Sequence, residues 1–182
     1  MRLAPRFVWL ARELPLRPGD RVLEVGCGHG IAVSIVGARL TTGHLVAIDR
    51  SATMTSAARR KYADLLATGR VSVRTCALAD LPVDTGPFDL VFSMNVSGFA
   101  QPGSPESARL ASLLATGGRA YLFHDGPGRA QAEAFAEGAR LALEAGGLVV
   151  LAAQDSADGA LLVARRADPQ TRQRPRNAAT SG

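Results

Sequence analysis

A glycine-rich run near the start of the chain, together with one acid after it, forms the pattern best suited to chemistry. Glu24-Val25-Gly26-Cys27-Gly28-His29-Gly30 follows a stretch typical of a strand. Glycines at this spacing let the backbone turn sharply and let a ligand approach it closely, and the helix predicted to follow presents free N–H groups to that ligand. Asp49 ends the next predicted strand, where a carboxylate can accept both hydroxyl protons of a ribose. Together these features predict an adenosine-type ligand.

The elements that position these residues follow from an alternation of β-branched runs and alanine-rich helical stretches. The loop 154–159 is short, so it can join antiparallel neighbours but cannot make a parallel crossover. We therefore predict an α/β, Rossmann-like doubly wound fold with a seven-stranded, mostly parallel sheet and one antiparallel strand near the C-terminus. Strands are predicted at 21–25, 44–48, 71–75, 88–93, 119–123, 148–153 and 160–164, and helices at 30–40, 51–67, 104–115 and 129–145.

Length and composition favour one globular domain. The chain has 182 residues, of which 47% are hydrophobic and 20% are charged, as in ordinary soluble proteins. Its longest apolar run, 148–153, is far shorter than the roughly 20 residues of a membrane-spanning helix. Two cysteines, Cys27 and Cys76, are too few for a disulfide scaffold and too widely spaced for a zinc knuckle, so we predict small loop or buried thiols and no metal. We expect a cytoplasmic protein with no membrane partner.

Positive charge concentrates at the C-terminal end. The net charge is +5, and the stretch from Arg165 onward has five arginines against Asp168. We therefore divide the chain into an N-terminal helix or lid segment (1–20), a ligand-binding domain (21–166) and a disordered basic tail (167–182). A tail of this kind is either a solvated terminus, which we favour, or an arm for nucleic acid.

Further motifs resemble those of class I S-adenosylmethionine-dependent methyltransferases, in the small-molecule (type 11/12-like) branch. The glycine run resembles the family's first motif, an acid, one residue and G-x-G-x-G. The segment 49–57 (Asp-Arg-Ser-Ala-Thr-Met-Thr-Ser-Ala) resembles D-x-S-x-x-M-x-x-A. Leu81-Pro82 before Phe88-Asp89-Leu90-Val91 is similar to L-P and F-D-x-V, and 113–119 resembles the L-L-x-x-G-G before the fifth strand. The resemblance covers about residues 15 to 166.

The resemblance implies a role for each matching residue. Glu24 would hold the amino group of the cofactor's methionine part, directly or through water, and Asp49 would bind the ribose. Met54 would pack on the adenine, and the loop would let the backbone lie against the cofactor. The implied set of residues that bind S-adenosylmethionine is Glu24, Gly26, Cys27, Gly28, Gly30, Asp49, Arg50, Met54, Ala77, Leu78, Ser93 and Asn95, with Met94 beside the last two.

One position departs from the family pattern. The family usually has an Asp-Ala pair after the third strand, and the Asp bonds the adenine amino group. Ala77 and Leu78 stand at those places here, so the backbone contact is retained and the carboxylate is lost. Either Asp80 takes its place, or backbone and apolar contacts alone hold the adenine.

Few residues are candidates for a general base. His124-Asp125 closes the predicted fifth strand at the active edge, and imidazole is the usual proton acceptor near neutral pH. His124 is therefore the catalytic candidate, with a turn that satisfies backbone groups as the alternative. His29 is expected to point outward. Asn95 lacks a following Pro-Pro-Tyr or Pro-Pro-Phe, which disfavours the amide-nitrogen and adenine methyltransferases that carry it. Trp9 either belongs to a helix over the cofactor or anchors the N-terminal segment.

We predict methyl transfer to a small-molecule acceptor by in-line displacement, with a homodimer left open as the assembly. Two alternatives stay open: a methyltransferase-like module that binds the cofactor without catalysis, and an RNA methyltransferase that uses the basic tail. The second of these requires that deletion of 167–182 abolish salt-sensitive RNA binding. A nicotinamide-dependent dehydrogenase is disfavoured because Ile31 stands where the dinucleotide fingerprint has its third glycine.

Overall fold

The computed structural model describes residues 3–101, 103–126, 128–156 and 159–167. Its strands are β1 (Arg21–Val25), β2 (His44–Asp49), β3 (Val71–Thr75), β4 (Phe88–Met94), β5 (Leu114–His124), β6 (Leu148–Ser156) and β7 (Gly159–Arg166). Its helices are α1 (Pro5–Glu13), α2 (Ile31–Arg39), α3 (Ala52–Lys61), α4 (Ala63–Ala67), α5 (Pro105–Leu113) and α6 (Arg129–Ala145), with short 3-10 helices at Val83–Thr85 and Ser97–Ala100.

The seven strands form one sheet in the order β3-β2-β1-β4-β5-β7-β6. Strands β1 to β5 pair in parallel, whereas β7 runs antiparallel to both β5 and β6. The predicted fold class is thereby confirmed. From β1 the chain builds outward through β2 and β3, then returns to place β4 on the other side of β1. Such a reversal opens a crevice at the carboxyl ends of β1 and β4, where ligands bind in open α/β sheets.

Helices cover both faces of the sheet, because successive strand residues point to opposite faces. Leu23 of β1 belongs to the core formed with α5 and α6, and its neighbour Val22 belongs to the core formed with α1, α2 and α3. Ala-rich α6 brings Phe135 and Leu143 into the first core, and α2 brings Val33 and Val36 into the second. The two cores hold the strand ends in fixed positions at the crevice.

The fifth strand begins earlier than predicted. We expected a helix to residue 115 and a strand from 119, but α5 ends at Leu113 and β5 begins at Leu114. Leu114 pairs with Phe88 of β4, and the register shifts before Leu90 pairs with Arg119. The Gly117-Gly118 pair therefore lies inside β5 at this irregularity rather than at a helix end; a Cβ on Gly118 would stand 2.7 Å from the Phe88 carbonyl oxygen.

The predicted helix 51–67 is two helices, separated at Tyr62. Ser51 caps α3 as its side chain accepts a hydrogen bond from the Met54 N–H. Tyr62 leaves helical geometry (φ −119°, ψ 33°), and its ring lies 3.2 Å from the position of a Cβ on Gly30. Packing of this ring against the glycine loop accompanies the break.

The N-terminal segment contains α1 and packs on the face shared with α2. Leu10 and Leu14 are fully buried, and the Trp9 ring meets Phe123 of β5 edge to face with centroids 5.0 Å apart. These contacts match the anchoring interpretation of Trp9; the lid role stays a prediction. Of the predicted tail, residues 168–182 lie outside the described part of the chain. Within the described residues, none of the helices combines the length and apolarity needed to cross a bilayer.

Candidate active site

A cleft of about 330 Å³ opens at the carboxyl ends of β1, β2, β3 and β4. Six of the predicted site residues line it: Gly26, Asp49, Arg50, Ala77, Leu78 and Asn95. The remaining lining residues are Val25, Ile48, Cys76, Met94, Val96, Ser97, Gly98, Gln101 and Glu106. The position is the crevice expected from the strand order, so strand ends and the loops that follow them supply the site.

Each glycine of the loop has a different structural requirement. Gly26, Gly28 and Gly30 all have positive φ, at 79°, 52° and 79°, a region that side chains with a Cβ rarely adopt. A Cβ on Gly26 would stand 2.5 Å from Val96 Cγ2, and one on Gly30 would stand 3.0 Å from Ala58 Cβ. A Cβ on Gly28 would meet nothing within 4 Å. Gly26 thus allows the loop to approach Val96 after β4, and Gly30 allows α3 to pack against the loop. Gly28 has open space where its side chain would be.

The carboxylate of Asp49 connects the glycine loop to the start of α3. Its Oδ2 accepts a hydrogen bond from the Gly28 N–H (2.9 Å), and its Oδ1 accepts one from the Ser51 N–H (2.9 Å). The Ile48 carbonyl accepts from the N–H groups of Gly26 and Cys27. These bonds fix the loop against β2 and hold Asp49 at the edge of the cleft, with lone pairs left on both oxygens for ligand hydroxyls.

Glu24 is a buried carboxyl group beneath the loop. Only 3% of the residue is exposed, and its Oε2 has no hydrogen-bond partner among the described residues. Burial, and then the charge of Asp49, raise its pKa to about 8. A buried acceptor without a partner is unusual in a folded protein and marks a site that a ligand group or an ordered water completes. Burial also raises the pKa of the neighbouring Cys27 thiol to about 12, so that thiol is inert.

Asn95 holds the ends of β4 and β5 together in a strained conformation. Its φ is +60°. Among the described residues, every other residue with a positive φ is a glycine. The Asn95 N–H donates to the Phe123 carbonyl (2.9 Å), and its Oδ1 accepts from the Asp125 N–H (2.7 Å). Backbone strain that neighbouring bonds enforce is typical of functional positions. Asp125 in turn forms an ion pair with Arg6 of α1 (3.4 Å).

The departure after the third strand is visible in the cleft. Ala77 and Leu78 line it, and the Cys76 N–H donates to the Asp49 carbonyl (3.1 Å). Asp80 is exposed and does not line the cleft. The geometry therefore favours backbone and apolar contacts at this wall over a substitute carboxylate from Asp80.

Six of the predicted cofactor-binding residues do not line the cleft: Glu24, Cys27, Gly28, Gly30, Met54 and Ser93. Glu24, Cys27, Gly30 and Ser93 are buried behind the lining, and Met54 lies in the first turn of α3. Ser93 Oγ, like Glu24 Oε2, is buried without a hydrogen-bond partner in the described chain. The cofactor-binding roles of these six stay predictions.

His124 ends β5 as predicted, but its ring is engaged elsewhere. The imidazole stacks on Phe135 of α6, with ring centroids 4.5 Å apart and planes 10° apart. A Cβ on Gly126 would stand 2.5 Å from its Nε2, and His124 is not among the residues that line the cleft. These contacts match the packing alternative; the catalytic role of His124 stays a prediction. His29 is exposed.

Glu106 is a charged residue of the lining that was not predicted from the sequence. It lies in the first turn of α5, after the cap Ser104, whose side chain accepts from the Glu106 N–H. The helix that follows β4 begins at the same sheet edge as the glycine loop, and this topological signal could have identified the residue. Elsewhere in the described ranges, no group of three His, Cys, Asp or Glu side chains could hold a metal ion.

Comparison with known proteins identifies the family. Residues 22–118 match the family model described as a methyltransferase domain, and this segment holds the glycine loop, Asp49 and all the residues that line the cleft. The chain belongs to this methyltransferase family. Its cofactor is accordingly S-adenosylmethionine. The chain is 38% identical over 128 residues to a protein-L-isoaspartate O-methyltransferase of Methylorubrum populi, a match that covers 68% of this chain and 54% of that protein.

Two solved structures with bound S-adenosylmethionine show the same fold. Geranyl diphosphate methyltransferase in complex with S-adenosylmethionine has a TM-score of 0.68 at 18% identity, over 88% of this chain and 84% of that one. Fibrillarin of Aeropyrum pernix, with natively bound S-adenosylmethionine, has a TM-score of 0.67 at 17% identity, over 87% and 73%. The chain spans about half the length of the curated relatives it matches.

The residues present fit the cofactor of this family. The buried carboxyl of Glu24 has an oxygen without a hydrogen-bond partner, and this oxygen could accept a hydrogen bond from an amino group or from a bridging water. Asp49 stands at the cleft edge with acceptor capacity left for hydroxyls, and Leu78 and Ala77 provide an apolar wall. Three glycines remove side chains from the backbone that would lie against the ligand.

Proposed function

We propose that the protein catalyses S-adenosylmethionine-dependent methyl transfer to a small-molecule acceptor. The observation that carries the proposal is the buried, unpartnered Glu24 carboxyl beneath a glycine loop that Asp49 fixes. A buried carboxyl of this kind has a free-energy cost that a ligand cation offsets. When bound, the cofactor supplies a methyl group on a sulfonium, which is a strong electrophile.

The work left to the protein is to bind, orient and exclude water. Glu24 would hold the cofactor's amino group, and Asp49 its ribose hydroxyls. Val96 lies over Gly26, and with Met94 it gives the middle of the cleft an apolar surface that excludes water. Asn95, which the Asp125 N–H holds in place, has its side-chain amide hydrogens left to orient an acceptor.

A small acceptor is supported by the size and charge of the site. The cleft of about 330 Å³ lies at the lower end of the range for small-molecule sites, and the cofactor takes part of that volume, which leaves room for a small acceptor. The net charge of residues 1–164 is close to neutral, which does not favour a nucleic-acid substrate.

Isoaspartyl protein is the second candidate acceptor. It is favoured by the 38% and 34% identities to protein-L-isoaspartate O-methyltransferases of Methylorubrum populi and Rhodopseudomonas palustris. The matched segments cover about half of those proteins, so the relatives contain chain that this protein does not match. Methylation of an isoaspartyl peptide by the purified protein would favour this second acceptor over a small molecule.

The proposal is tested by calorimetric titration with S-adenosylmethionine and S-adenosylhomocysteine, with NADH as the control ligand. We expect micromolar binding of both sulfur ligands and none of NADH. Asp49→Ala and Glu24→Gln should each weaken binding at least tenfold. Asp84→Ala, at an exposed aspartate in the first 3-10 helix, is the matched control and should bind as the wild type does. Absence of binding by the folded wild-type protein would refute the proposal.

A further inference from the structure

The cleft has an acceptor half, which we define as Asn95, Val96, Ser97, Gly98, Gln101 and Glu106. It follows β4, on the side of the glycine loop opposite Asp49 and Ala77. Its side chains are otherwise neutral, so Glu106 is the charged group of this half within the described chain. Whatever acceptor enters therefore meets one carboxylate.

Glu106 is held in position from two sides. The Ser104 hydroxyl donates a hydrogen bond to Oε2 of Glu106, across the start of α5. The other oxygen, Oε1, lies against the second 3-10 helix, where a Cβ on Gly98 would stand 3.1 Å from it. Glycine at position 98 thus leaves room for the carboxylate at the cleft wall. A positioned carboxylate imposes a charge preference more effectively than a freely rotating one.

No cation in the described chain neutralises this carboxylate. Glu106 takes part in none of the ion pairs of the described residues. Arg50 lines the cleft after β2, two strand positions from β4, or roughly 10 Å at the usual strand spacing. Arg109, one turn further along α5, does not line the cleft, and Arg6 is paired with Asp125. Glu106 therefore presents to the acceptor half a carboxylate that is in none of the ion pairs of the described residues.

We propose that Glu106 determines the acceptor class by binding hydroxyl and amine acceptors, including an ammonium that releases its proton to solvent before its nitrogen attacks the methyl group, and by excluding carboxylates. A hydroxyl or an amine can donate a hydrogen bond to Glu106 Oε1, whereas an acceptor carboxylate has no proton to donate and is repelled. This inference rests on the proposed function. It separates the chain from the protein-L-isoaspartate O-methyltransferases that it resembles, because O-methylation of an isoaspartyl residue takes place on a carboxylate.

The test uses three fragments with one ring and different charge: benzylamine, benzyl alcohol and benzoate. Their binding to the protein saturated with S-adenosylhomocysteine is followed by NMR at the amide signals of Gly98 and Gln101. We expect the amine and the alcohol to bind at least tenfold more tightly than benzoate. Glu106→Gln, which keeps the shape and an acceptor for Ser104, should reduce the amine-to-benzoate ratio about tenfold.

Two further variants control this result. Glu133→Gln, at an exposed site on α6, removes the same charge elsewhere and should leave the ratio at the wild-type value. Gly98→Ala keeps the charge but crowds Oε1, so it should lower the ratio by a smaller factor; it tests the proposal even if Glu106→Gln does not fold.

Several outcomes would overturn the inference. They are equal binding of benzoate and benzylamine, an unchanged ratio in folded Glu106→Gln, no fragment binding at Gly98, or methylation of an isoaspartyl peptide by the wild-type protein. None of these outcomes contradicts methyl transfer itself, provided that S-adenosylhomocysteine binds. Failure of S-adenosylhomocysteine to bind refutes the proposed function instead, whatever the fragments do.

Discussion

At the scale of single residues, Glu24 shows how a binding site is maintained at a cost to stability. An acid whose carboxyl oxygen has no partner is stable in the interior mainly in its protonated form, because ionisation there loses hydration without replacement. A ligand ammonium group reverses that balance, since it interacts with the ionised form. The same carboxyl that weakens the free protein is therefore suited to strengthen the complex.

The pH dependence of stability follows from the raised pKa of Glu24. The folded state keeps the proton up to about pH 8, whereas the unfolded state releases it near 4.5. Between these values the folded state binds more protons, so the contribution of Glu24 to stability is complete below pH 4.5 and is lost as the pH rises toward 8. The loss is at most about 1.4 kcal/mol per pH unit.

Glu24→Gln should remove this dependence. The free energy of unfolding is measured with urea on the free protein at pH 5 and pH 8. From pH 5 to pH 8, the value for the variant should rise relative to that of the wild type by a few kcal/mol. Asp84→Asn, at an exposed aspartate, should follow the wild type at both values. A difference between Glu24→Gln and wild type that does not change with pH would contradict the buried, protonated state.

At the scale of elements, the glycine loop both packs against α3 and is predicted to bind the cofactor, and substitutions at different glycines can separate these two roles. Gly28→Ala introduces a Cβ with nothing within 4 Å, so the fold should survive with only the strain of a positive φ, about 1 kcal/mol. Gly30→Ala adds contacts with Ala58 and Tyr62 to the same strain, so it should destabilise the protein more.

Unfolding and binding measured together check this separation. We expect Gly28→Ala to lose more cofactor affinity than stability, because its Cβ would stand in open space where the cofactor is predicted to lie against the loop. Gly30→Ala should lose about 2 to 3 kcal/mol of stability through overpacking against α3. Equal losses of stability in the two variants would show that the loop is not packed as the structure has it.

The bounds of an element could be predicted from the sequence where the local residue pattern determines them. They could not be predicted where contacts with residues distant in the chain determine them. The run 71–75 is β-branched and alternating, and its strand has the predicted bounds. The start of β5 depends on pairing between Leu114 and Phe88, which no local pattern reveals. Asp49 was found because it follows a strand, whereas Glu106 belongs to the cleft only because α5 begins at the same edge.

At the scale of the whole molecule, the site is made by the sheet rather than by one segment. The cleft takes residues from the ends of β1 to β4 and from α5. A ligand in it therefore contacts elements from both sides of the point where the strand order reverses. Binding to the folded state alone then stabilises the whole domain and not only the loop.

Thermal unfolding measures this coupling. S-adenosylhomocysteine at 100 times its Kd should add about 2.7 kcal/mol, and so raise Tm by roughly 5 to 11 °C. Asp49→Ala should show a smaller shift at the same ligand concentration, and NADH should give none. A ligand that binds in calorimetry without raising Tm would mean that it also binds the unfolded chain.

The position of β7 has a consequence for synthesis on the ribosome. This strand follows β6 in the chain but lies between β5 and β6 in the sheet, with Leu161 and Leu162 buried. A nascent chain that has reached the end of β6 therefore exposes an unpaired β5 edge and apolar side chains to chaperones and proteases. Closure of the sheet must wait until residues 159–166 have left the exit tunnel, because β7 pairs with both β5 and β6.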